Sequence, residues 1–393
     1  MRILHISKYY HPFRGGIEKM IQELAEGSVE AGHQVRVLCS AESPQSVQEE
    51  IEGVEVHRLG RWGVLWSQAL APSFFTKMSE QIEWADVIHF HMPNPLVELA
   101  FLFHDCKKPL VVTYHCEVVR QRKLMHFYRP VARKILQRAS KIVVSTPYHI
   151  NFSPGLRGFE NQCEIIPFGI TGKLSQLNRN REEIVQRLRN EYGDFFLFVG
   201  RLVPYKGVDV LLHAMKFVPR NLLIVGEGPR FEQWVDLRNQ LSLQDKVHFL
   251  GKVESDDEFS ALIHACEALV LPSVDESEAF GIVMIEAMSC KKAVVSTKLK
   301  SGVSWVNQDG VTGVAVTPKD FEALADGMNA LVCDQKRKHE MENAAFQRYE
   351  ELFQLDAMVT SYLNLYQSFF DTPKKASQTQ NLKKNHSNMR KAL

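Results

Sequence analysis

Two carboxylates stand eight residues apart in the run E-A-F-G-I-V-M-I-E, from Glu278 to Glu286, with Phe280, Gly281 and Ile282 between them. Upstream, G-R-L-V-P-Y-K-G carries Arg201 and Lys206. Carboxylates accept hydrogen bonds from sugar and ribose hydroxyls. Arginine grips phosphate oxygens as a fork, and lysine as a point charge. Together these are the two halves of a nucleotide-sugar site. Each half also has a plainer reading, as exposed glutamates near a helix start and as solvated loop cations. Gly200 and Gly207 frame the cations and favour function. Glu286 falls among Ile282, Val283, Ile285 and Met288, where an unpaired carboxylate is costly, so it needs a partner. A ligand is one such partner.

A third segment, Y-H-P-F-R-G-G-I-E, places Gly15 and Gly16 before a helical pattern. A glycine pair there lets an anion approach bare N–H groups at the positive end of the helix dipole. The spacing is not G-x-G-x-x-G, so a nicotinamide fingerprint is not supported. His115 ends a strand in T-Y-H-C-E and so stands where open α/β sheets hold ligands. The plainer reading is a structural histidine. His89 and His91 in H-F-H-M-P lack a third ligand, and no D-x-D motif follows a strand, so no metal site is expected.

These groups need a scaffold. Short β-branched runs at 2–7, 34–39, 54–59, 87–90, 110–114, 142–145 and 164–166 alternate with helical patterns. They continue at 195–199, 221–225, 247–250, 268–271, 293–296 and 313–316. Ile17, Met20, Ile21, Leu24 and Ala25 lie on one helical face. Strand–helix alternation predicts parallel sheets buried on both faces. The fold class is therefore α/β, with two Rossmann-like, doubly wound domains facing a cleft. The boundaries expected are 1–172 for the first domain, 173–189 for a linker and 190–350 for the second domain. A helix over 351–370 then returns to the first domain, and a basic, disordered tail covers 371–393. Within the carboxylate run, Glu278 belongs to a loop, Gly281 starts the helix, and Glu286 lies one turn inside.

The bulk numbers agree. A chain of 393 residues suits two domains, and a net charge of +1 leaves any basic surface local. One such surface is the stretch from Arg120 to Lys141, with eight Lys/Arg, no acid and interleaved aromatics; it includes Arg122, Lys123, Arg129, Arg133 and Lys134. Trp62 and Trp66 belong to an aromatic-rich segment upstream. Together these suit an anionic membrane surface or a lipid diphosphate, whereas no motif supports nucleic acid. A solvated helix beside a separate core segment is the plain alternative. Seven scattered cysteines without C-x-x-C pairing suit a reducing cytoplasm. The N-terminus makes a poor signal peptide.

With V-G-E-G-P at 225–229 and D-G-V-T-G at 309–313, these motifs resemble the retaining glycosyltransferases of family 4, of GT-B fold, over residues 1 to about 370. The resemblance implies that Gly15 and Gly16 approach the donor phosphates and that Arg201 and Lys206 neutralise the diphosphate. It implies that Glu278 and the backbone of Phe280, Gly281 and Ile282 hold the transferred sugar and phosphate. Glu286 would bind the ribose, and His115 would lie near the sugar. It further implies metal independence and no cofactor beyond the donor substrate. Where many members carry an acid after a glycine pair, this chain has Trp305, a change expected to bear on donor choice and acceptor contacts. The function expected is hexose transfer, with GDP-mannose as first donor, to a lipid-linked or lipopolysaccharide-type glycan on the inner face of the plasma membrane. The alternatives are a UDP-hexose transferase acting on a small soluble acceptor and a non-catalytic nucleotide-sugar-binding protein.

Overall fold

The computed structural model describes residues 1–371 apart from 14, 66–67 and 117–121, with main chain alone at 65, 68 and 122–127. The first half contains β1 (Arg2–Ile6), β2 (Gln34–Ser40), β3 (Val47–Ile51), β4 (Val54–Leu59), the hairpin β5 (Val64–Leu65) and β6 (Gln68–Ala69), β7 (Val87–Met92), β8 (Leu110–Tyr114), β9 (Lys141–Val144) and β10 (Cys163–Ile165). Its helices are α1 (Gly16–Glu30), α2 (Phe74–Trp84), α3 (Pro95–Leu102), α4 (Arg122–Arg138) and α5 (Pro147–Phe152). The sheet order is β10-β9-β8-β7-β1-β2-β4-β3, parallel except for β3.

The second half contains β11 (Phe195–Val199), β12 (Asn221–Val225), β13 (Val247–Gly251), β14 (Leu269–Leu271), β15 (Val294–Thr297) and β16 (Gly313–Val316). Its helices are α6 (Arg179–Tyr192), α7 (Val208–Ala214), α8 (Phe231–Gln240), α9 (Asp256–Ala265), α10 (Ile282–Ser289), α11 (Gly302–Val306), α12 (Phe321–Cys333), α13 (Gln335–Leu352) and α14 (Leu355–Gln367). Its sheet, β13-β12-β11-β14-β15-β16, is wholly parallel. Apolar runs such as Phe195–Val199 form central strands because helices cover both faces.

Three features differ from the sequence expectation. The antiparallel edge strand β3 is mostly solvent-facing and polar, V-Q-E-E-I, so it lacks the alternation that marks a half-buried strand. The stretch 173–189 is not a free linker. Asn178 caps α6 by accepting from the Arg181 N–H at 2.9 Å, and the Arg181 guanidinium donates to Asp257 at 2.6 Å and to the Lys173 carbonyl at 2.6 Å. Val185 and Leu188 bury the other face of α6 against the second domain. The last helical pattern is broken at Phe353-Gln354, and only α14 returns to the first domain, where it packs on α1.

The chain thus crosses between domains at 169–172 and at 353–355, and the two crossings touch. The Ile170 N–H donates to the Phe353 carbonyl at 2.9 Å, and the Leu355 N–H donates to the Ile170 carbonyl at 3.1 Å. A Cβ on Gly169 would overlap the Gln354 carbonyl oxygen and lie 2.7 Å from its carbon. Gly169→Ala is therefore expected to cost about 1–3 kcal/mol through overpacking, read as a lower urea midpoint. An unchanged midpoint would show that the crossings are not in contact in solution.

Candidate active site

The loop after β14 turns through Asp275, whose carboxylate accepts from the Ser277 N–H at 2.8 Å and whose carbonyl accepts from the Glu278 N–H at 3.2 Å. This turns the Glu278 carboxylate inward. It accepts from the Ser273 hydroxyl at 2.9 Å and pairs with the Lys206 ammonium at 2.6 Å. Lys206 and Glu278 are only 8% and 7% exposed. Gly207, at φ 67°, lets the chain turn from Lys206 into α7, with Val274 only 2.8 Å from where a Cβ would stand.

Gly281, at φ 78°, caps α10, whose first N–H groups lie at a helix end as any N-terminal turn leaves them. The Phe280 side chain is core: its ring lies 4.8 Å from that of Phe168 and 6.0 Å from that of Phe353. Glu286 sits one turn into α10 and is 7% exposed. Its partner is Lys19 of α1, at 2.7 Å across the domain seam. That charge holds the Lys19 ammonium above its ordinary range against the opposing effect of burial. Nearby, burial pushes the Glu23 carboxyl up to about 7, with Lys19 pulling the other way. The sequence called for a partner to Glu286 but did not find Lys19, a contact that spans 267 positions. Its one local signal is a cation one turn into the helix that Gly15-Gly16 opens.

Gly15 and Gly16 face the same seam, since a Cβ on Gly16 would meet the Ile282 side chain at 3.2 Å. At Gly15 the space beside the backbone is filled by the Glu18 carboxylate, which bonds its own main-chain N–H. The helix start thus already holds an anion. Burial raises the Glu18 carboxyl, while Lys8 and Arg201 lower it. Arg201 is exposed and acts on both Glu18 and Lys8. It also acts on the Tyr205 hydroxyl, which burial raises first and which feels Glu278, Lys206 and Cys116 as well. The cations, Glu278 and the end of β8 therefore converge around Tyr205.

His115, 2% exposed, follows β8. Its Nε2 bonds His91 Nδ1 at 3.0 Å, and His91 Nε2 bonds His5 Nδ1 at 3.0 Å. The His115 ring lies 5.7 Å from that of Phe168. Burial lowers His5 and His115 to about 3 and His91 well below its ordinary range, so all three are neutral. The third imidazole missing beside His89 and His91 is His5, with ligand atoms of the trio within 4.8 Å of one another. The His89 nitrogens are already bonded to Thr113 at 2.7 Å and Tyr366 at 2.6 Å. His89 thus ties α14 to the first domain, while His5 and His91 bond each other.

In the first turn of α3, Glu98 is fully buried. Burial pushes its carboxyl up to about 7, against the Asn94 N–H at 2.6 Å and the Tyr128 hydroxyl at 2.8 Å. A carboxyl whose folded pKa exceeds its unfolded value stabilises while protonated and loses that contribution as pH rises from about 4.3 through about 7. Glu98→Gln is expected to flatten the fall in stability between about pH 5 and pH 8, measured as urea midpoints. Parallel pH profiles for both proteins would show that Glu98 does not titrate there.

Trp305 packs edge-on to Phe353 at 5.7 Å, with the Arg348 guanidinium 4.9 Å from its ring, at the crossing. Trp66 and Arg120 lie outside the described residues, as do the side chains of Arg122 and Lys123 and the tail from 372. Trp62 is 79% exposed and Phe103 72% exposed, with Phe75 5.6 Å from Phe103. Arg129, Arg133 and Lys134 are exposed on α4, which packs on α3. No helix among the described residues is long and apolar enough to cross a membrane.

Two facing parallel-sheet domains with cations and carboxylates at their seam define a GT-B glycosyltransferase architecture. The chain belongs to the glycosyltransferases: residues 15–169 match the glycosyl transferase 4-like domain and residues 180–348 match glycosyl transferases group 1. It is 32% identical to O-antigen chain mannosyltransferase C of Escherichia coli, over 95% of this chain and 100% of that one. It is 33% identical to the D-rhamnosyltransferase WbpZ of Pseudomonas aeruginosa, over 90% and 92%. Among solved structures, sucrose-phosphate synthase of Thermosynechococcus elongatus superposes with a TM-score of 0.78 at 22% identity, over 94% and 99% of the two chains. Anabaena HepE, solved with UDP and glucose, gives 0.76 at 21%, over 94% and 100%.

Proposed function

We propose that the protein transfers a hexose, mannose from GDP-mannose in the first place, to a lipid-linked or lipopolysaccharide-type glycan, with retention and without a metal. The observation that carries this reading is the placing of two ion pairs, Lys206–Glu278 and Lys19–Glu286, at the two ends of one loop-and-helix segment. The relatives named for mannosyl and rhamnosyl transfer support the sugar class and the glycan acceptor.

In this reading Lys206 and Arg201 take the charge that builds on the leaving diphosphate, together with the start of α10. Glu278 holds the transferred sugar, Glu286 the ribose, and His115 stands beside the sugar. The leaving phosphate serves as base on the face it vacates. Because Lys206, Glu278, Glu286 and His115 are each under one-tenth exposed, a donor enters only when the domains part at the paired crossings. Trp62, Phe75, Phe103 and the cations of α4 would rest on anionic lipid at the cytoplasmic face.

Thermal shift against GDP, UDP and ADP tests the donor, since a ligand at a hundred times its Kd adds about 2.7 kcal/mol to stability. Stabilisation by GDP above the other two is expected. A shift with UDP alone would replace the donor, and a shift with none would remove the nucleotide-sugar reading. Co-sedimentation with phosphatidylglycerol liposomes, lost in high salt, is expected for the membrane contact.

A further inference from the structure

The imidazoles of His5, His91 and His115 form one hydrogen-bonded line from the middle of the first sheet to the carboxyl end of β8. The line has two ends. His5 Nε2 and His115 Nδ1 are both buried and have no hydrogen-bond partner among the described residues. Every nitrogen between them is engaged.

A neutral imidazole carries one N–H and one lone pair. With both inner bonds made, the protons must therefore all point the same way, and only two arrangements exist. In one, His115 gives its Nε2–H to His91, His91 gives its Nε2–H to His5, and an unpaired N–H is left on His5. In the other, His5 gives its Nδ1–H to His91, His91 gives its Nδ1–H to His115, and the free N–H is His115 Nδ1. Either way one end carries a donor without an acceptor among the described residues. An orphaned buried N–H is among the rarest and costliest defects of a folded chain. His5 lies on a central strand and is wholly inaccessible, so no ligand can relieve it. His115 lies at the domain seam, against Phe168, whose ring lies tilted against that of Phe280 of the carboxylate loop. Only there, when the domains part, can water or a bound molecule supply the acceptor.

We infer that His5 and His91 are positioning residues that hold His115 as the Nδ1–H tautomer, so that His115 meets its substrate as a hydrogen-bond donor. This rests on the reading that places His115 beside the transferred sugar. An oxygen of the sugar or its phosphate would be the acceptor. His149 steadies the same residue from the other side. Its ring bonds the His115 carbonyl, which can only accept, and its Nδ1 then takes the Thr146 hydroxyl at 3.0 Å.

Two measurements test the inference. In the intact, ligand-free protein labelled with 15N-histidine, His115 assigned by loss of its signals in His115→Gln is expected to show a protonated Nδ1 and an unprotonated Nε2. A protonated Nε2 would overturn the inference, and this readout needs no donor. His91→Phe removes the relay while keeping a flat ring. Its nucleotide affinity and donor KM are expected to stay within about twofold, while kcat falls about five- to tenfold, the value of one hydrogen bond. A folded His91→Phe protein with wild-type kcat would overturn it too. Loss of all transfer with every donor in the wild-type protein would instead fault the functional reading and leave the tautomer result standing.

Discussion

Lys206→Met is expected to lower both stability and nucleotide-diphosphate affinity. Removing one partner of a buried ion pair leaves the Glu278 carboxylate without its cation, which costs about 3–5 kcal/mol in comparable sites. The Ser273 hydroxyl still donates to Glu278, so the lower end is expected. Loss of a charge-assisted phosphate contact adds about 1.5–3 kcal/mol on the binding side, or roughly 10- to 150-fold in Kd. The two effects separate in a double variant. Lys206→Met with Glu278→Gln removes the stranded charge, so the urea midpoint is expected to recover while calorimetric affinity for GDP does not. A single variant with wild-type midpoint and wild-type affinity would take Lys206 out of the site.

Glu286→Ala is expected to act in the opposite proportion. Its partner Lys19 has a side chain 42% exposed, so loss of the pair is screened by solvent and costs under about 1 kcal/mol of stability. Nucleoside binding loses an acceptor for the ribose hydroxyls, and a roughly 10- to 150-fold weaker Kd is expected. The diagnostic is a 2′,3′-dideoxy nucleotide, which lacks those hydroxyls. Wild-type protein should bind it much more weakly than GDP, whereas Glu286→Ala should bind both alike. Retained discrimination in the variant would assign the ribose to another residue. The same comparison bears on Lys19: when a ribose takes Glu286, the Lys19 ammonium must find water or phosphate instead.

The architecture was legible because its signals are local. Phe195–Val199 and Leu110–Tyr114 announce buried parallel strands by continuous apolar composition. Met20, Ile21, Leu24 and Ala25 announce one face of α1 by spacing. Gly281 before an apolar run marks the start of α10, and Glu286 lies one turn inside it as expected. The edge strand β3 was not legible, because a strand with both faces near water carries no burial pattern.

The site was legible in its residue types and not in its pairings. Glu286 among apolar neighbours demanded a counter-charge, but nothing local distinguishes Lys19 from other surface lysines. Glu18 as the anion at the Gly15-Gly16 turn, and Ser273 beneath Glu278, were hidden for the same reason. His89 and His91 looked like an incomplete metal pair because β1, which supplies His5, is their neighbour in the sheet and not in the chain. That Trp305 packs on Phe353 at the crossing between domains was hidden too, since 48 positions separate the two.

The amino-acid order alone determined the alternation of strands and helices, the two domains and the carboxylates and cations between them, since periodicity and loop position are properties of neighbours in sequence. Only the tertiary structure decided which charge faces which, that α14 locks onto α1, and that three histidines, on or just after three adjacent parallel strands, form one line. Those contacts join positions tens to hundreds of residues apart. Their energies depend on burial and distance, which the packing of two separate sheets creates and no short stretch of chain contains.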